Sequence, residues 1–212
     1  MNSTKPLSFP RWERLKNEIN VFSSLSEINK YLFVKTGIHN FFSAKSDIKK
    51  LDEIVQNRTS LSPSLRDFGD FQTPLPLTNK ICRLLKSKQI SPKILIEPTC
   101  GMGNFVVSAI KHFPSLQYIV AIDLQAKYEW LFKLNLIERL HDHHELPNIE
   151  FFHADIFQNS QIPSIIKKVG SNSSLSVLIL GNPPWITNTE LSKLDSTNLP
   201  PKSNIKKLKG IA

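Results

Sequence analysis

Apolar residues recur at helical spacing through the first quarter of the chain. Trp12, Leu15, Ile19 and Phe22 fall on one stripe, as do Ile28, Tyr31 and Leu32, and then Ile48, Leu51, Ile54 and Val55. These stripes predict a small helical region. The run Thr59-Ser60-Leu61-Ser62-Pro63-Ser64 is rich in turn formers and ends it, so the expected division is a helical region over 1–64 and a second region over 65–212. Beyond the break the rhythm changes. Short apolar strands are predicted at 93–97, 118–123, 149–153 and 176–180, separated by helical segments at about 76–88, 104–113, 126–140 and 161–169. Pro76 and Pro163 stand where helices start. Strands alternating with helices predict an α/β fold built on an open parallel sheet with right-handed crossovers. The fourth strand, Val177, Leu178, Ile179 and Leu180, reads as buried and runs straight into the rigid turn Gly181-Asn182-Pro183-Pro184-Trp185.

The chain has 212 residues, 40% of them hydrophobic, enough for one sizeable core and a small appendage. No stretch approaches the about 20 consecutive apolar residues of a membrane helix, and Met1-Asn2-Ser3-Thr4-Lys5-Pro6 lacks the apolar core of a signal peptide. The expectation is a cytoplasmic protein without a membrane partner. Two cysteines, Cys82 and Cys100, make neither a disulfide framework nor a Cys-x-x-Cys pair. A net charge of +9 points to an anionic partner, nucleic acid being the common one for a basic soluble chain, with a modest cluster at Lys202, Lys206, Lys207 and Lys209. His141, His143 and His144 crowd into one run, but no second element supplies ligands at zinc spacing. That run reads as a solvated loop, with no metal expected. Trp12, Phe41 and Phe42 read as packing residues.

The ends of the strands carry the candidate chemistry. The first predicted strand passes into Glu97-Pro98-Thr99-Cys100-Gly101-Met102-Gly103-Asn104-Phe105 and then a helix. Glycines belong in such a turn because tight folding and close approach to a ligand both exclude a side chain, and the helix beyond presents free N–H groups. The dinucleotide fingerprint Gly-x-Gly-x-x-Gly is not met, since Val106 stands at its sixth position. Asp123 closes the second strand, where a carboxylate can accept from both ribose hydroxyls. Asp155 follows the third, placed to accept from an adenine amino group, with Ile156 or Phe157 to pack on the ring. A single such acid is more often a cap or turn former than a ligand; the repetition at successive strand ends raises the odds.

Taken as a set, these segments resemble the motifs of the DNA amino-methyltransferases. Glu97-Pro98-x-x-Gly101-x-Gly103-x-Phe105 is similar to their S-adenosylmethionine loop. Phe71-Gln72-Thr73-Pro74 is similar to the segment that folds over the methionine end of that cofactor, and Asn182-Pro183-Pro184-Trp185 to their catalytic motif. The order of the three matches the γ arrangement of the family, which points to adenine N6 more than cytosine N4. The resemblance implies a Rossmann-like class I methyltransferase fold, S-adenosylmethionine as cofactor and double-stranded DNA as partner, in a restriction-modification setting. The implied cofactor ligands are Phe71, Gln72, Thr73, Pro74, Glu97, Pro98, Gly101, Gly103, Phe105, Asp123, Asp155 and Ile156.

In the implied catalytic turn, the Asn182 side-chain carbonyl and the Pro183 main-chain carbonyl accept from the exocyclic amine, while the prolines fix φ. Trp185 offers a face for a flipped base, a contact worth roughly 1–3 kcal/mol. The family normally continues past this turn with further strands and a target-recognition domain. The expectation is therefore an N-terminal portion, with an incomplete sheet of about four strands whose fourth is an edge, working as a truncated or split enzyme with a separate C-terminal chain or restriction-modification subunit. Similar Asn-Pro-Pro-aromatic turns serve methyltransferases acting on RNA or on a protein glutamine, and a non-catalytic remnant that binds nucleic acid is the reading from another class.

Overall fold

The computed structural model describes residues 9–56, 72–140, 145–156 and 176–183. Three helices come first: α1 (Pro10–Ile19), α2 (Leu25–Thr36) and α3 (Ser46–Gln56). Their buried apolar residues, Trp12, Leu15, Ile19, Ile28, Leu32, Leu51 and Val55, all belong to the predicted stripes. Local chemistry sets the boundaries of α2. Ser24 and Glu27 form a reciprocal capping box at its start, and Gly37 closes it in the left-handed region at φ 74°.

The remaining elements are α4 (Leu75–Ser87), β1 (Ile94–Glu97), α5 (Asn104–His112), β2 (Tyr118–Asp123), α6 (Lys127–Leu140), β3 (Asn148–His153) and β4 (Val177–Ile179). The four strands form one sheet in the order β3-β2-β1-β4, parallel at every pairing. This 3-2-1-4 order is that of the doubly wound Rossmann-like sheet. The predicted helix at 161–169 lies outside the described residues.

Alternation along the strands divides the core. Leu95, Ile119, Ala121 and Ile149 join a large cluster with the buried residues of the helices, whereas Ile94, Ile96, Val120 and Ile122 make a smaller cluster on the other face. Val177 and Ile179 are in register with Ile94 and Ile96 and extend that second face. They are 39% and 68% exposed, which corrects the expectation of a buried fourth strand. The reason is position: among the described residues β4 has β1 as its one neighbour, the edge place expected for it.

Helix α6 joins the two regions. It packs against α1, α2 and α5, and its buried residues cover most of its circumference, as expected of a helix covered on both sides. The Glu138 carboxylate accepts from the backbone N–H groups of Arg11 and Trp12 in the first turn of α1, where free donors and the helix dipole favour a negative charge. The Lys133 ammonium, 4.4 Å from the Trp130 ring centroid, donates to the Phe41 carbonyl oxygen at 2.5 Å and to Glu129 at 2.6 Å. Ile38 adds a parallel bridge to Ile149, so the loop after α2 continues the sheet beyond β3. Trp12, Phe41 and Phe42 are all buried, the packing role expected of them.

Candidate active site

Because the strands are parallel, the segments that follow them emerge at one edge of the sheet. Glu97, Asp123, Asp155 and Asn182 all belong to that carboxyl edge. Chain order reverses between β1 and β4: β1 leads through α5 to β2 on one side, while β4 lies on the other. Such a switch point opens a crevice between adjacent loops. Here the two loops are the glycine turn and the Gly181-Asn182-Pro183 segment. They meet closely, since a Cβ on Gly181 would stand 3.3 Å from Pro98 Cδ and 3.6 Å from Thr99 Oγ1.

The glycine turn is held by named contacts on several sides. Gly101 and Gly103 have φ of 50° and 76°, a region that L side chains rarely adopt. Asp123 Oδ2 accepts from the Gly101 N–H at 2.8 Å, and its Oδ1 accepts from the Gln125 N–H at 2.8 Å. The carboxylate thus ties the end of β2 to the turn after β1. Gln72 Oε1 accepts from the Met102 N–H at 2.9 Å, and Asn104 Nδ2 donates to the Thr73 carbonyl at 2.9 Å. Gln72 and Thr73 therefore touch the glycine turn directly, and Pro74 leads into α4 from an extended conformation.

Glu97 is the electrostatic anomaly. It is 2% exposed, and among the described residues neither its Oε2 nor the buried Thr99 Oγ1 has a hydrogen-bond partner. Burial pushes the Glu97 carboxyl well above the usual carboxylate range and the Asp123 charge adds to the rise, against a hydrogen bond from the Val106 backbone. Burial, with both neighbouring carboxylates, also pushes the Cys100 thiol up. A buried carboxylate oxygen without a partner is costly to ionise and suits a cationic ligand.

Pro98, Gly101 and Gly103 lie in the turn itself, and Phe105 is buried in the first turn of α5. Asp155 and Ile156 are half-buried just beyond β3. Phe71, Pro184 and Trp185 lie outside the described residues, as do His141, His143 and His144.

Three further residues bear on the turn and escape a reading by motif. Asn135 and Arg139 of α6 form a hydrogen-bonded chain to Met102 and Asn104, and a Cβ on Gly103 would come within 2.5 Å of the Phe132 ring. The one local hint is an asparagine set directly between Leu134 and Leu136.

No family model matches the chain. It is 34% identical over 145 residues, 68% of its length, to the type II methyltransferase M.NspV of Nostoc sp.. This chain is a relative of a type II methyltransferase. It spans 28% of that relative's length. Among solved structures it is similar to the modification subunit assigned to a type I restriction enzyme of Vibrio vulnificus, with a TM-score of 0.32 and 16% identity over 54% of this chain and 25% of that one. As a methyltransferase relative, the chain joins its glycine turn and its Asn-Pro segment at the switch point of a 3-2-1-4 sheet.

Proposed function

We propose that the chain carries the cofactor and acceptor sides of a DNA methyltransferase that modifies the exocyclic N6 of adenine, with S-adenosylmethionine as methyl donor. The observation that carries this reading is the unpartnered, buried Glu97 carboxylate oxygen beside a glycine turn onto which Gly181 packs. Similarity to a type II methyltransferase supports it.

The residues present fit the cofactor. Glu97 offers a desolvated acceptor suited to an ammonium such as that of the methionine portion, and Gly101 and Gly103 hold the turn beside it at positive φ. Asp123, whose carboxylate holds the Gly101 and Gln125 N–H groups at the end of β2, is assigned to the ribose hydroxyls. Asp155 and Ile156, after the neighbouring strand, are assigned to the adenine amino group and ring. When bound, S-adenosylmethionine supplies a methyl group activated by its sulfonium.

Asn182 and Pro183 supply the acceptor chemistry. Their carbonyl oxygens accept from an exocyclic amine and hold its nitrogen oriented, and preorganised acceptors favour the positive charge that develops there. The second proline limits reorganisation by fixing φ, and Trp185 is assigned to stacking of the flipped base. The amine becomes more acidic as it is alkylated, so its proton passes to water without a strong general base.

Two measurements test the proposal. Calorimetry of the 212-residue chain with S-adenosylmethionine should show stoichiometric binding. Labelled methyl should then pass to DNA and not to RNA or a glutamine-bearing protein, with transfer assayed both alone and with a C-terminal methyltransferase segment added. Absence of cofactor binding would overturn the cofactor assignment, and transfer to RNA or protein alone would overturn the DNA assignment.

A further inference from the structure

We propose that Asn135 is a positioning residue for the glycine turn, held in orientation by Arg139, so that α6 sets the geometry with which the turn receives its ligand. The inference rests on the cofactor reading above and extends it to a residue that does not line the turn's own sequence.

A buried polar side chain on a helix is a net cost unless its groups are satisfied. Asn135 is 5% exposed, and its donors and acceptor are all engaged. Its Nδ2 donates to the Met102 carbonyl at 2.7 Å and to Asn104 Oδ1 at 3.1 Å, and its Oδ1 accepts from Arg139 Nε at 2.7 Å. The Arg139 contact defines which end of the amide is oxygen, since a guanidinium has only donors. That leaves the amide nitrogen facing Met102 and Asn104, the two acceptors.

The consequence for the turn is specific. The Met102 carbonyl and the Gly103 N–H belong to one peptide plane; Asn135 holds the first, and the Cys100 carbonyl accepts from the second at 2.8 Å. The preceding plane is fixed through the Met102 N–H on Gln72 Oε1. Asn104, held by Asn135, in turn donates to the Thr73 carbonyl. One amide on α6 thus connects the glycine turn to residues 72–74, the other proposed wall of the cofactor site. A fully satisfied network of this kind specifies one arrangement where apolar packing would tolerate several.

The test uses the full chain with Asn135→Ala, and Ile137→Val as a control that loosens the core of α6 without touching the network. In the absence of ligand, Asn135→Ala should raise hydrogen exchange at Met102 and Gly103 by at least about tenfold while Ile137→Val leaves it unchanged. S-adenosylmethionine binding, measured by calorimetry, should weaken by about tenfold or more in Asn135→Ala and stay near wild type in the control. If Asn135→Ala does not fold, Arg139→Met, at an exposed position, should shift both readouts in the same direction by a smaller amount. Unchanged exchange overturns the positioning role, and so does raised exchange with unchanged affinity. Wild-type chain that fails to bind S-adenosylmethionine overturns the cofactor reading instead, and the exchange data still decide whether Asn135 holds the turn.

Discussion

The side-chain amide of Gln72 lies so close to Gly101 that a Cβ there would stand 2.4 Å from both its nitrogen and its oxygen. The same amide accepts from the Met102 N–H, so the contact is a built part of the turn. Gly101→Ala should therefore be destabilised by about 1–3 kcal/mol, from the positive φ and the displaced Gln72 together. Urea unfolding measures that loss, and calorimetry should show cofactor binding reduced beyond it. Wild-type stability in Gly101→Ala would mean that Gln72 is free to move aside.

Glu97 should behave oppositely in stability and in binding. Its carboxyl is raised in the folded chain, so the native state holds a proton that the unfolded state releases above its ordinary value of 4.5. The sign follows: this group's contribution to stability falls as pH rises from about 4.5 through the raised native value, and is flat beyond it. Glu97→Gln removes that dependence and should leave the free protein equally or more thermostable at neutral pH. A cationic ligand favours the ionised carboxylate, so S-adenosylmethionine should bind wild type with proton release, read by calorimetry in buffers of different ionisation enthalpy, and should bind Glu97→Gln far more weakly. Unaltered affinity in Glu97→Gln would remove Glu97 from the site.

Asn182→Ala should separate binding from chemistry. Loss of one preorganised acceptor should lower methyl transfer by about 100-fold or more, while cofactor affinity, set by the glycine turn, stays within a few-fold of wild type. Transfer is followed with labelled methyl and affinity by calorimetry, under the conditions in which the wild-type chain transfers. Undiminished transfer would show that Asn182 does not hold the amine.

Lys133 offers a test away from the chemistry. Lys133→Met keeps the apolar stem beside Trp130 but leaves the Phe41 carbonyl without its donor, and should cost about 1–3 kcal/mol in urea unfolding. Glu129 is 34% exposed and recovers water, which keeps the loss toward the lower end. A neutral effect would show that the clasp between α6 and the loop after α2 is dispensable.

The helical stripes of α1 to α3, the four strands and the glycine turn were legible in the sequence because each depends on local periodicity or on residues whose backbone preferences are their own. Gly101 and Gly103 permit the positive φ that a tight turn requires, and an acid after an apolar run marks a strand end. Val177 and Ile179 were misread for the converse reason. Their composition is that of a buried strand, while exposure depends on the neighbours a strand acquires, and β4 has one among the described residues.

The site divides along the same line. Sequence by itself determined which chemical groups stand at the carboxyl edge of the sheet, Glu97, Asp123, Asp155 and Asn182, because in a parallel sheet the segments after all strands share that edge. It also carried the likeness to a type II methyltransferase. Only the tertiary structure decided that Glu97 has an oxygen without a partner, that Asp123 clamps Gly101, and that Lys133 and Asn135 are buried. Lys133 and Asn135, two residues apart in α6, project from nearly opposite faces of the helix. Each is inside because a different partner covers it, the loop after α2 over Lys133 and the glycine turn over Asn135, and these long-range contacts are encoded by no local pattern.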